Sequence, residues 1–145
     1  MTIKVSNEGE KLLLEAAVGK VAAASLKLKL FTNNVTPGDA DTVATYTEMG
    51  AVQGYAAKTL TTGGWNAGVA GTGTGSATAN KASIDYPQQT WTFDGTGGSV
   101  TVYGYIITDN AGATLVCAEK FSAPQVIATA GDTIKITPKL TLGTE

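Results

Sequence analysis

SVTVYGYIITDNAGATLVCAEKF, residues 99–121, decides the fold. Val100 to Thr108 is dense in β-branched and aromatic side chains, which fit a pleated, half-buried surface. Asp109-Asn110-Ala111-Gly112 then supplies two side chains able to bond their own backbone and a glycine that tolerates positive φ. The stretch therefore predicts two strands joined by a tight turn. Tyr103 and Tyr105, two apart on the first strand, are expected to share a face. A hairpin this apolar is not stable alone in water, so the remaining chain must supply a second layer.

Upstream, SLKLKLFT at residues 25–32 sets Leu26, Leu28 and Leu30 against Lys27 and Lys29, the pattern of a half-buried strand with a lysine-guarded outer face. NNVTPGDAD, residues 33–41, predicts a loop around a Pro-Gly turn. Thr42–Met49 and Gln53–Leu60 are expected as further short strands. Thr61 to Lys81, rich in glycine, threonine and alanine, predicts a long connection, or a weak strand punctuated by glycine, in which Trp65 stands apart. Trp91 and Phe93 should share a face in IDYPQQTWTFD, residues 84–94. Past Phe121, Pro124 should open a new segment. TIKITPKLTL, residues 133–142, predicts a half-buried strand with Pro138 at an edge or bulge.

The N-terminus predicts an extended arm or edge strand over residues 1–5, then the one convincing helix. Asn7 with Glu10 fits an N-cap and a reaching carboxylate, Lys11–Val18 are strong helix formers, and Gly19 is placed to end the helix. Leu12, Leu13, Leu14, Ala16, Ala17 and Val18 cover much of its circumference. So short a helix must pack on the sheet or on a neighbouring subunit. Roughly seven to nine strands at intervals of about 8–12 residues predict an all-β fold, an antiparallel β-sandwich that is jelly-roll-like with one short N-terminal helix. The expected organisation is an arm and helix over residues 1–20 and a single β-sandwich domain over residues 21–145.

Composition narrows function. The 145 residues include no histidine, and all ten basic residues are lysine. The commonest general base and metal ligand is thus missing, as is the bidentate fork that reads phosphate or guanine. Cys117, the single cysteine, excludes an internal disulfide and a thiolate zinc cluster, and no histidine exists to activate it. The lysines are dispersed and the net charge is −2, which gives no basic stripe for nucleic acid. Hydrophobic runs are too short to span a bilayer, and the N-terminus lacks the pattern of a secretory signal.

The remaining chemical candidates are weak. Asp39 and Asp41 lack the spacing of a calcium loop and fit turn carboxylates. Gly71–Gly75, GTGTG, lacks the flanking strand, helix and lysine of a phosphate loop. Glu48, Asp85, Asp94 and Glu119 would have to converge in space to act as paired carboxylates. Tyr55, Tyr86, Tyr103, Tyr105, Trp65 and Trp91 could line a sugar-binding face, although aromatics on adjacent strands more often form core. The expectation is therefore no catalytic residue, no metal, no cofactor and no enzymatic activity. Leu12, Leu13, Leu14, Val18 and Trp65 are the candidate interface residues.

NEGEKLLL, LKLFTNNVTPGDADT, GYAAKTLT, QTWTF, VYGYIITD, AEKFSAPQ and GDTIKITPKLTLG, in that order, resemble small virion proteins of tailed bacteriophages. The glycine-threonine stretch between Thr61 and Lys81 lies outside the resemblance. It implies a non-enzymatic structural protein, and within that class a capsid decoration or cement protein on the outer shell. The implied partners are the major capsid protein and copies of itself, with a homotrimer favoured, and neither nucleic acid nor membrane. The alternatives are a tail or fibre component contacting the host surface, with exposed aromatics expected in the loops Asn33–Asp41 and Trp65–Asn80, and a carbohydrate-binding module.

Overall fold

The structure is a computed structural model, and it describes residues 3–72 and 81–142. At its centre β6 (Val100–Asp109) and β7 (Leu115–Ile127) pair antiparallel, as the sequence predicts. The Asp109 carboxylate closes the turn by accepting from Ala113 N at 2.7 Å and Thr114 N at 3.1 Å, and Gly112 takes φ 77°. β2 (Leu26–Phe31) pairs with β6, β3 (Lys58–Leu60) with β2, and β1 (Lys4–Val5) with β7, giving one sheet of order β1-β7-β6-β2-β3. Leu28 and Leu30 are fully buried. On the opposite face of β2, Lys27 donates to the Thr59 hydroxyl at 2.7 Å, and Lys29 meets Glu48 at 2.9 Å.

The second layer is a two-stranded ribbon with a break. β4 (Ala82–Asp85) pairs with β9 (Lys139–Leu142), and β5 (Gln89–Thr92) pairs with β8 (Thr133–Ile136), all antiparallel. The single strand expected over residues 133–142 is thus divided, because Pro138 has no N–H to give a ladder. Its carbonyl instead accepts from Tyr86 N at 2.8 Å across the break. Trp91, Phe93, Ile134 and Ile136 of this ribbon face Leu28, Leu30, Val102, Ile107 and Val116 of the sheet, forming the main core of an antiparallel β-sandwich. A smaller cluster of Phe31, Tyr46, Ile106, Leu115 and Ala118 lies outside this core, covered in part by Val35 and Val43.

Four local expectations are corrected. Tyr103 and Tyr105 do not share an environment: Tyr105 joins the main core and Tyr103 packs on the smaller cluster. The register jumps between Val102↔Gln125 and Gly104↔Lys120, and this irregularity turns β6 over between the two tyrosines. Pro124 does not open a new segment; it lies inside β7, in the stretch that the same jump leaves out of register. Thr42–Met49 forms a single 3-10 turn at Val43–Thr45, with only Glu48 bridged to Phe31. Gln53–Tyr55 is a turn with Gln53 at φ 57° and Gly54 at φ 70°, because the Gln53 backbone bonds both Thr96 O and Asp94 N.

The helix α1 (Asn7–Ala17) is capped by Ser6 and not by Asn7. The Ser6 hydroxyl accepts from Gly9 N at 3.0 Å and donates to Leu115 O at 2.5 Å, so one buried group both starts the helix and ties it to β7. Gly19 ends the segment at φ 71° and Lys20 reaches Glu15 at 3.5 Å. Ser6→Ala is expected to cost about 1–2 kcal/mol in urea unfolding, since it removes a cap and orphans a buried carbonyl. Among the described residues no helix is long and apolar enough to cross a membrane.

Candidate functional site

The candidate carboxylates are occupied separately. Glu48 takes Lys29 and the Tyr55 hydroxyl, Asp85 takes the Asn66 amide, Asp94 takes Thr96, and Glu119 takes the Tyr105 hydroxyl. Asp39 pairs with Lys4 at 3.3 Å, while Asp41 accepts from Gly38 N at 2.8 Å and the Tyr46 hydroxyl at 2.7 Å. Among the described residues no three histidine, cysteine or carboxylate side chains gather as a metal site. Cys117 is fully buried, and burial pushes its thiol far up, away from the thiolate form. Of the GTGTG motif, residues 73–75 lie outside the described residues.

Three buried tyrosines define the protein's response to alkali. Burial, reinforced by hydrogen bonds to Asp41, Glu48 and Glu119, pushes the Tyr46, Tyr55 and Tyr105 phenols up. A group whose folded pKa is raised contributes stability that is complete below its unfolded pKa and is lost as pH rises past it. The melting temperature is therefore expected to fall as pH climbs above about 10, and Tyr105→Phe should flatten that fall. Calorimetric melts across the alkaline range check this. Asp94 and Asp132 act oppositely. Hydrogen bonds from Thr96 to Asp94, and from the Ala128 and Thr129 amides to Asp132, hold these carboxyls below the usual range, so their contribution is present at neutral pH and lost in acid.

The aromatics named from the sequence do not line up as one exposed face among the described residues. Tyr55, Tyr86, Trp91 and Tyr105 are buried in the main core. Trp65 is half-buried and meets Tyr86 edge-on at 5.3 Å, pinning the 61–72 segment to the core. No described residue in the loops 33–41 and 65–72 is an exposed aromatic.

The candidate interface residues divide according to Gly9. A Cβ at Gly9 would lie 2.1 Å from Val116 O, so this side of the helix rests on the backbone of β7. Leu12, Leu13 and Ala16, at i+3, i+4 and i+7 from Gly9, share its side. With Trp65, Leu26 and Val116 they line a cleft of about 490 Å³. Leu13 also borders a neighbouring apolar groove with Val69 and Leu142. Leu14 and Val18 fall on the outer face, 69% and 80% exposed. The structure thus brings Leu12, Leu13 and Trp65 together and leaves Leu14 and Val18 apart in solvent. Val69 and Leu142, 62% and 50% exposed, extend the apolar surface. Sequence reading missed both, although the β9 alternation at Leu140 and Leu142 offered a signal for the second.

Residues 4–142 match the model of the family described as Podophage GP4 fiber I protein gp80, and the chain belongs to that family. No curated protein matches the sequence. The chain is accordingly a phage structural protein associated with the virion.

Proposed function

We propose that this member of a podophage fibre family is a structural subunit of the fibre, working through repeated protein–protein contacts and without catalysis. The observation that carries the reading is the family match over residues 4–142, which favours a fibre component over the shell-decoration role with its major capsid partner. The physical character of the chain is compatible with it. A two-layer β module with most of its aromatics in the core suits a repeating building block, in which weak contacts gain strength from number. The partners are further copies of this chain and adjoining chains of the same appendage. Because exposed aromatics are missing from the described loops, the reading does not require those loops to be the host-contacting surface.

The contact surface in this reading is the outer face of the helix, where Leu14 and Val18 stand exposed, 69% and 80%, on the side away from β7. Leu14→Lys with Val18→Lys is expected to leave the melting temperature nearly unchanged, because both side chains are already in solvent. The same variant should shift light-scattering mass toward the monomer. An unchanged assembly would remove this surface from the reading. Location is tested by gold-labelled antibody against the chain on intact particles. Label on the appendages supports the proposal, and label distributed over the head overturns it.

A further inference from the structure

Between the two layers, at the edge where β1 adjoins β7, a second cleft of about 420 Å³ is rimmed by Lys81, Lys135 and Lys139. Four of the seven other lysines have carboxylate partners: Lys4, Lys11, Lys20 and Lys29. The three cleft lysines have no ion-pair partner among the described residues. Among the described residues one carboxylate, Glu119, lines the cleft, and one of its oxygens is taken by the Tyr105 hydroxyl. The half-buried Phe121 ring, 6.3 Å from that of Tyr105, forms an apolar wall, while Thr137 and Thr141 add hydroxyls.

We propose that this cleft binds a carboxylate-bearing saccharide. Three lysines against one carboxylate line this concavity and leave it electropositive in a chain whose net charge is −2. Point charges of this kind attract a carboxylate without demanding a fixed geometry. Phe121 can take the C–H face of a sugar ring. The threonine hydroxyls and the second Glu119 oxygen can exchange hydrogen bonds with ring hydroxyls, which an ion-pairing site alone would not need. The volume lies at the small end of the range for ligand pockets, about 300–1,000 Å³, which suits one or two sugar rings. The inference goes beyond the fibre assignment and stands whichever part of the virion carries the chain.

The test is calorimetric titration of the full chain with digalacturonate, with galactobiose, hexaglutamate and sulfate as comparison probes. Digalacturonate should bind saturably, and affinity should fall by about tenfold or more on going from low to high salt. Lys135→Gln with Lys139→Gln should lose about tenfold or more, whereas Lys11→Gln with Lys20→Gln, on the helix and just past its end, should lose nothing. Both pairs are exposed lysines, so a circular-dichroism melt verifies that the fold is unchanged. No saturable digalacturonate binding, or equal binding of galactobiose, overturns the proposal. Equal binding of sulfate would reduce the cleft to a general anion site, and equal binding of hexaglutamate would make an acidic peptide its ligand; either result also overturns it. None of these outcomes bears on where the chain sits in the particle, which the antibody labelling decides separately.

Discussion

Gly9→Val is expected to lower the unfolding free energy by about 3 kcal/mol, and so to reduce the melting temperature by roughly 6–12 °C. Any side chain at Gly9 would start 2.1 Å from Val116 O and 2.8 Å from Val116 Cα. The obstacle is strand backbone near the start of β7, so no rotamer change relieves it. The helix must lift away, and lifting it breaks the Ser6 bond to Leu115 O and uncovers Leu12. Hydrogen exchange should therefore show faster exchange through α1 and along β7 near Val116, with β5 and β8 less affected. A variant within about 0.5 kcal/mol of the parent in urea unfolding would mean that the helix does not rest on β7 as described.

The second large effect is expected at Gly104, where the register of β6 and β7 jumps. A Cβ there would lie 2.1 Å from Glu119 O and 2.6 Å from the Phe31 ring. Gly104→Val should cost on the order of 3–4 kcal/mol, since it meets backbone on one side and a fully buried aromatic on the other. Phe31→Ala alone should cost about 3–5 kcal/mol by emptying the smaller cluster. Removing the ring relieves only part of the clash at Gly104, so the double variant should be less destabilised than the two costs added together, and still clearly worse than Phe31→Ala. Simple additivity in urea unfolding would contradict this contact.

Those two glycines also mark what the sequence could and could not reveal. The alternation of Leu26, Leu28 and Leu30 with Lys27 and Lys29 has a period of two and a charge guard, so strand, face and outer surface were all legible locally. The hairpin at Asp109–Gly112 was legible for a similar reason: its hydrogen bonds are made within a few residues. The helix cap was not. Asn7 and Ser6 are both good capping residues, and the choice between them is made by Leu115 O, a carbonyl 109 positions away. The divergence of Tyr103 and Tyr105 was hidden because it arises from pairing with β7, not from β6 itself. Pro138 announced an irregularity without saying that the strand would change partners there.

The same distinction governs the surfaces. A helix bearing Leu12, Leu13, Leu14, Ala16, Ala17 and Val18 is apolar almost all round, so its pattern does not say which side is inward. Gly9 does, because only that side can approach the β7 backbone, and this leaves Leu14 and Val18 in solvent. Trp65 was visible as an anomaly in polar sequence, but its partner Tyr86 lies in the separate segment 84–94, and no local pattern links the two. The lysine-rimmed cleft was invisible for the plainest reason. Lys81, Glu119, Lys135 and Lys139 belong to segments that only the pairing of β4 with β9, and the stacking of that ribbon on the sheet, bring together.

The fibre assignment is tested most directly by the copy number of the chain in purified virions, measured against the major capsid protein by quantitative mass spectrometry with isotope-labelled peptides. A fibre subunit should be present in a small, fixed number of copies, far below the shell protein. Abundance in a simple ratio to the shell protein would contradict the account and return the chain to the capsid surface.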